Sequence, residues 1–138
     1  MMLYEHIKVA ADARGIVYVL LDRDVKRNAI NAKMWRELGH AFRTIGTNGD
    51  NARCILLRGS GRSFCSGIDT TDPSFGFEQT LDGDRGEDSS EPPDVARKVI
   101  SFKQKILEMQ AAITALETNP LPVVAAVHGF CVGAGVGK

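Results

Sequence analysis

The 138-residue sequence has no apolar run approaching the roughly 18–20 residues of a membrane-spanning helix, so no bilayer crossing is expected. It has no excess charge of either sign. Its 17 Lys and Arg balance 17 Asp and Glu, and net charge therefore gives no argument for a nucleic-acid or membrane-surface partner. Cysteine is scarce: Cys54, Cys65 and Cys131 are odd in number and show no Cys-x-x-Cys spacing. That pattern suggests neither a disulfide framework nor a thiolate metal site, and a reducing compartment is the simplest setting. His6, His40 and His128 are scattered outside any metal-ligand spacing. The first residues, Met1 to Glu5, lack the basic and apolar regions of a secretory leader. What remains, 43% hydrophobic and 25% charged residues, is the profile of an ordinary globular unit and excludes disorder and collagen.

The charge balance hides an asymmetry. From Glu78 to Asp94 there are seven acids against Arg85 alone, a local charge of −6, so the rest of the chain carries +6. A mildly basic body suits a phosphate-bearing small molecule. The segment 70–94 as a whole reads as an acidic loop, long enough that function or disorder explains it better than an ordinary connection.

Local patterns predict an α/β chain. Ile7 to Ala11 and Ile16 to Leu21 flank Asp12-Ala13-Arg14-Gly15 as a β-hairpin, and the unbroken apolar character of the second run predicts a strand covered on both faces. Met34, Leu38, Ala41, Phe42 and Ile45 recur at helical spacing, which predicts a helix over about 32–45 with Asn31 as its N-cap. Cys54 to Gly59 reads as a buried strand, completing a βαβ unit. Val95, Val99, Phe102, Ile106, Met109, Ile113 and Leu116 form the stripe of a long amphipathic helix over about 93–117, one face of which should pack on a core or a neighbouring subunit. Asn119-Pro120-Leu121-Pro122 breaks it, and Val123 to Val127 reads as the next buried strand.

Two glycine-rich corners carry the chemistry. The second, His128 to Lys138, mimics a phosphate-binding loop, but the spacing denies it. Val132 stands where a Walker A loop needs glycine, nothing follows Lys138, and Lys138 stands where a dinucleotide fingerprint needs a small residue. The first corner runs from Ser63 to Asp69. Each reads as a buried strand delivering a glycine turn that opens a helix, where glycine admits a ligand close to backbone and unpaired N–H groups point outward. Two such corners converging on one carbonyl oxygen make an oxyanion hole; two tight turns without a ligand are the plainer alternative. Asp69 and Asp72 invite reading as an acid/base pair, although a carboxylate just after a glycine turn is more often a cap.

Three ordered motifs then match a family. Arg-Asn-Ala-x-Asn at Arg27 to Asn31, Ser-Gly-Ile-Asp at Ser66 to Asp69, and Leu-Pro-x-Val-Ala-Ala-Val-His-Gly-x-Cys-x-Gly-x-Gly-Val at Leu121 to Val136 resemble the crotonase, or enoyl-CoA hydratase/isomerase, superfamily. Lys26, Trp35 to Leu38 and Pro93 to Arg97 add likeness to its Δ3,5-Δ2,4-dienoyl-CoA isomerase branch. The resemblance implies a crotonase-like α/β spiral of ββα units, with residues 1–138 as the N-terminal part of one domain, incomplete at the C-terminus. It implies that the Ile68 and Ala134 backbone N–H groups hold a thioester oxygen. Lys26, Arg27, Ala29, Ser66, Gly67 and Asp69 would line the CoA moiety. The substrate implied is an acyl-CoA, with no metal, no redox cofactor and no nucleic-acid partner, in a homotrimer or hexamer of mitochondria or peroxisomes.

The resemblance does not supply proton transfer. Dienoyl-CoA isomerases carry Asp, and hydratases Glu, two residues after the position of Gly135, where this sequence has Gly137. Other carboxylates of relatives fall beyond Lys138. The expectation is therefore a chain that retains the thioester-holding corners and is inactive or nearly so. An enoyl-CoA hydratase-like chain and a non-catalytic acyl-CoA-binding or subunit-interaction remnant are the alternatives.

Overall fold

A computed structural model describes residues 4–47, 51–75 and 95–136. Strands β1 (Ile7–Ala11) and β2 (Ile16–Leu21) form the expected hairpin, Ile7 opposite Leu21 and Ala11 opposite Val17. Its turn is tied by Asp12, whose Oδ1 accepts from the backbone N–H groups of Arg14 and Ile16 at 2.9 and 3.0 Å. Helix α1 (Ala32–Thr44) carries the chain across to β3 (Cys54–Gly59), which pairs parallel with β2. Helix α2 (Val95–Glu117) precedes β4 (Val123–Ala126), parallel to β3, so the sheet order is β1-β2-β3-β4. Short 3-10 turns occupy Asp24–Lys26, Pro73–Phe75 and Gly133–Gly135. No helix among the described residues is long and apolar enough to cross a membrane.

The first helix follows its sequence. Asn31 Oδ1 accepts from Met34 N–H at 2.8 Å, and Ile45, expected as the last helical residue, serves as C-cap instead. Its stripe packs on Ile7, Val17, Val19, Leu21, Ile55 and Leu57, one face of the sheet. Each fully buried aliphatic or aromatic side chain of that layer contributes about 2 kcal/mol.

The other face differs from expectation. Along β2 only Val17, Val19 and Leu21 are buried, while Ile16, Tyr18 and Leu20 are half-exposed, so an unbroken apolar run is covered on one face only. β4, expected to be buried, lies at the sheet edge with β3 alone beside it among the described residues, and Val124 is 54% exposed.

Helix α2 also departs from its stripe. Val95 and Val99 are exposed, and the helix meets the core only over its C-terminal half, where Met109, Ile113 and Leu116 are partly buried. The residues it fully buries are the small ones, Ala112 and Ala115. The reason is close approach to α1: a Cβ added at Gly39 would lie 2.9 Å from Ala112 Cβ. Trp35 Nε1 donates across the same interface to the Met109 carbonyl at 2.8 Å. Asn119 Nδ2 then donates to the Phe42 and Ile45 carbonyls at 2.7 and 2.9 Å, capping α1 from the far side of α2. Of the acidic segment 70–94, residues 76–94 lie outside the described residues, as does Gly137.

Candidate functional site

Three loops meet beyond the ends of β2, β3 and β4. The first, residues 23–30, contains the only non-glycine residues with positive φ among the described ones, Arg27 (50°) and Asn28 (55°). Asn28 is fully buried and holds this shape. Its Oδ1 accepts from Arg23 N–H at 2.8 Å, and its Nδ2 donates to the Ser60 and Ser63 carbonyls at 2.9 and 2.8 Å. One short side chain thus pins the first loop to the loop after β3. Asparagine is suited to the task because it tolerates left-handed backbone and carries both donors and an acceptor.

The two glycine corners are zipped together. Phe64 N–H donates to the His128 carbonyl at 2.8 Å, Cys65 N–H to Phe130 at 3.0 Å and Val132 N–H to Cys65 at 3.1 Å, pairing Cys65 with Cys131 in a parallel bridge. A second bridge joins Ile30 to Ile68: Ile30 N–H donates to the Gly67 carbonyl at 2.8 Å and Asp69 N–H to Ile30 at 2.9 Å. Neither corner opens an α-helix among the described residues; the second closes as the 3-10 turn Gly133–Gly135.

The close approach requires glycine. Gly67 has φ +97°, and a Cβ there would lie 3.1 Å from the Val132 carbonyl oxygen and 3.8 Å from Ala134 N. The amide following Gly67, that of Ile68, and the amide of Ala134 therefore belong to apposed turns. Neither is engaged by a hydrogen-bond acceptor among the described residues. Two free N–H groups on apposed glycine turns can both donate to one oxygen.

A cleft of about 700 Å³ runs from Gly133 and Ala134 along α2, lined by Trp35, Phe102, Ile106, Met109 and Ile113. An apolar cleft of about 460 Å³ lies on the other side of Ala134, between sheet and helices. Among the described residues Glu117, which sequence reasoning did not single out, is the one carboxylate lining either. A third groove, about 560 Å³, lies beside the first loop and is lined by Arg27, Arg62 and Phe130 among others, with the Arg27 guanidinium 5.7 Å from the Phe130 ring centre.

The sequence-predicted residues divide into two groups. Lys26, Arg27, Ser66 and Gly67 come together: Ser66 N–H donates to the Arg27 carbonyl at 3.1 Å and Ser66 Oγ to the Lys26 carbonyl at 3.3 Å, with the Lys26 and Arg27 side chains exposed. Ala29 and Asp69 are buried and do not present side chains to solvent. Arg23, half-buried between them, donates to the Ala29 carbonyl and, at 3.0 Å, to Asp69 Oδ2.

The Asp69–Asp72 acid/base reading yields to the capping one. Asp69 Oδ1 accepts from the Thr71 hydroxyl and N–H at 2.6 and 3.1 Å. Asp72 accepts from Ala32 N–H and Ser74 N–H, both at 2.8 Å. The Thr71 hydroxyl and then Arg23 hold the Asp69 carboxyl below its ordinary range. The Ala32 and Ser74 amides do the same for Asp72. Both carboxylates are committed to turns, an arrangement that stabilises the charged form and removes them from proton transfer.

Comparison with known proteins identifies a family and a fold. Residues 16–138 match the enoyl-CoA hydratase/isomerase family. The chain belongs to this family. Among relatives, it is 37% identical over 135 residues to the mitochondrial Δ(3,5)-Δ(2,4)-dienoyl-CoA isomerase of Rattus norvegicus, covering 96% of this chain and 37% of that one. It is 36% identical over 123 residues to the peroxisomal Δ(3,5)-Δ(2,4)-dienoyl-CoA isomerase of Arabidopsis thaliana, covering 88% and 40%. The enoyl-CoA hydratase structure from Mycobacterium smegmatis superposes with a TM-score of 0.68 at 27% identity, over 95% of this chain and 43% of that one. A Thermobifida fusca protein solved in complex with acetoacetyl-CoA gives 0.67 at 26% identity, over 94% and 46%. The described elements are thus a mixed α/β portion of the crotonase fold. The chain spans about two-fifths of the length of these hydratase/isomerase-family relatives.

Proposed function

We propose that this chain is the thioester-holding part of a Δ3,5-Δ2,4-dienoyl-CoA isomerase of unsaturated fatty-acid β-oxidation. The observation that carries the reading is the pair of unengaged amides, Ile68 and Ala134, on apposed glycine turns, of which the Ala134 turn lines the cleft along α2. When a thioester becomes an enolate, negative charge builds on its oxygen. Each preorganised donor aimed at that oxygen is worth about 3 kcal/mol at the transition state. The acyl chain lies along α2 in the larger cleft, and the CoA phosphates meet Lys26 and Arg27, with backbone of Ala29, Ser66, Gly67 and Asp69 as the wall between. The likeness to dienoyl-CoA isomerases and to a protein solved with acetoacetyl-CoA supports an acyl-CoA substrate. Within that reading the protein assembles as a trimer or hexamer and works in mitochondria or peroxisomes.

Isomerisation removes a proton at one carbon and returns one at another, which takes positioned carboxylates. With Asp69 and Asp72 committed to turns, Glu117 is the one carboxylate that the described residues bring to the clefts, and we infer that the 138-residue chain binds acyl-CoA with little or no turnover. Two measurements test this. Calorimetry with an acyl-CoA should show binding, and the absorbance assay for the conjugated 2,4-dienoyl product should show little. Absence of binding at millimolar ligand overturns the site; robust turnover overturns the inactivity, and its loss in Glu117→Gln would assign the proton transfer to Glu117. A hydratase-like reading is favoured instead if the chain adds water to a 2-enoyl-CoA.

A further inference from the structure

Two cysteines that the function does not use are paired across the zipped corners. Cys65 and Cys131 are far apart in sequence, yet they are partners in a parallel bridge fixed on either side by the Cys65 N–H to Phe130 and Val132 N–H to Cys65 bonds of 3.0 and 3.1 Å. Bridge partners project their side chains to the same side of the ladder, and paired strands lie about 4.8 Å apart. That spacing falls inside the roughly 4.4–6.8 Å Cα separation a disulfide needs. An independent contact places the two thiols against the same residue. A Cβ built on Gly135 would lie 2.7 Å from Cys65 Cβ and 3.1 Å from Cys65 Sγ, while Cys131 Sγ is 3.2 Å from the Gly135 carbonyl. Cys54, at the start of β3 opposite Ile16, belongs to the other end of the sheet.

We propose that Cys65 and Cys131 are a dithiol pair that closes to a disulfide under thiol oxidants, stapling the turn that carries Ile68 to the turn that carries Ala134. With glutathione disulfide as oxidant, the Cys131 thiolate attacks one sulfur, forming a mixed disulfide and expelling one glutathione thiolate. The Cys65 thiolate then attacks Cys131 Sγ and expels the second. Both cysteines are oxidised, one glutathione disulfide is reduced to two glutathione molecules, and the two cysteine protons pass to the departing thiolates. The order follows from access: both cysteines line the apolar cleft, but Cys131 is half-buried, whereas Cys65 is fully buried and burial pushes its thiol up. The staple requires only the bridge geometry and holds whatever the site binds.

The test uses the full chain and its Cys54→Ser variant, both of which keep the pair. Each is incubated with glutathione disulfide, alkylated, digested and mapped by mass spectrometry. The expected result is a Cys65 peptide joined to a Cys131 peptide within one chain, with Cys54 alkylated in the unsubstituted protein, and a higher midpoint of thermal unfolding that dithiothreitol reverses. In urea the pairing should redistribute to include Cys54. A glutathione adduct on Cys131 without the internal link overturns the proposal, as do links through Cys54 under native conditions, or three free thiols after oxidation.

Discussion

Replacing Asn28 by alanine tests whether one buried side chain organises the site. The substitution removes the acceptor for Arg23 N–H and the Ser60 hydroxyl and both donors to the Ser60 and Ser63 carbonyls, leaving three backbone groups unpartnered besides the hydroxyl. At about 1–1.5 kcal/mol for each, the loss is about 4 kcal/mol. The φ of 55° adds about 1 kcal/mol for a residue that, unlike asparagine, has no local compensation in left-handed backbone. A total of about 5 kcal/mol equals the whole stability of many small domains. Asn28→Gly separates the terms, because glycine accepts the backbone at no cost and should lose only about 4 kcal/mol. Asn28→Asp keeps the acceptor for Arg23 but turns a carboxylate toward two carbonyl oxygens, and should be at least as destabilised as the glycine variant. Urea unfolding followed by fluorescence of Trp35, the single tryptophan, reads all three. If alanine and glycine variants both unfold within about 1 kcal/mol of the parent chain, the side chain does not hold the loop, and the positive φ at Arg27 and Asn28 needs another cause.

Asp69→Asn should cost about 3 kcal/mol at neutral pH by leaving Arg23 unpaired in a half-buried setting. Because the folded carboxyl is held low, its contribution is complete above the unfolded value, near 3.9, and is lost as pH falls through the folded one. The gap between parent and variant should therefore stay constant from about pH 7 to about pH 5 and shrink below about pH 4, as measured by urea titrations across that range. Gly39→Ala should lose about 1 kcal/mol net despite alanine's better helix propensity, since its Cβ meets Ala112, and Ala112→Gly in the same chain should recover part of the loss. Arg27→Gln should weaken an acyl-CoA about tenfold in calorimetry, or about 1.4 kcal/mol, while leaving an acyl-pantetheine thioester that lacks the nucleotide unaffected.

What was readable along the chain was what neighbouring residues decide. The hairpin, the Asn31 cap, the α1 stripe and the break at Asn119 each depend on residues within a few positions of one another. The stripe of α2 misled because it counted large side chains. The contact is made by Ala112 and Ala115 against Gly39, a pairing of small residues that lets two backbones approach. The Ile68 and Ala134 amides were named from motif likeness, but that their turns abut through Gly67 and Gly133 is visible only in space. Asn28, part of the quoted motif, carried no local sign that it would bond two carbonyls more than thirty residues away. Ala29 and Asp69, assigned to a ligand with the same motifs, are buried instead, and Arg23 bonds the Ala29 carbonyl and the Asp69 carboxylate.

By itself the sequence determined the class of chain, its order of strands and helices and its family. Hydrophobic period, caps and breakers act through local backbone energetics and need no knowledge of partners. Tertiary structure decided which faces are covered, which carboxylates are committed to turns, and that Cys65 meets Cys131. Those outcomes depend on distances between segments tens of residues apart, fixed by the backbone ladder between the two corners and by close packing at glycine, neither of which a linear pattern records.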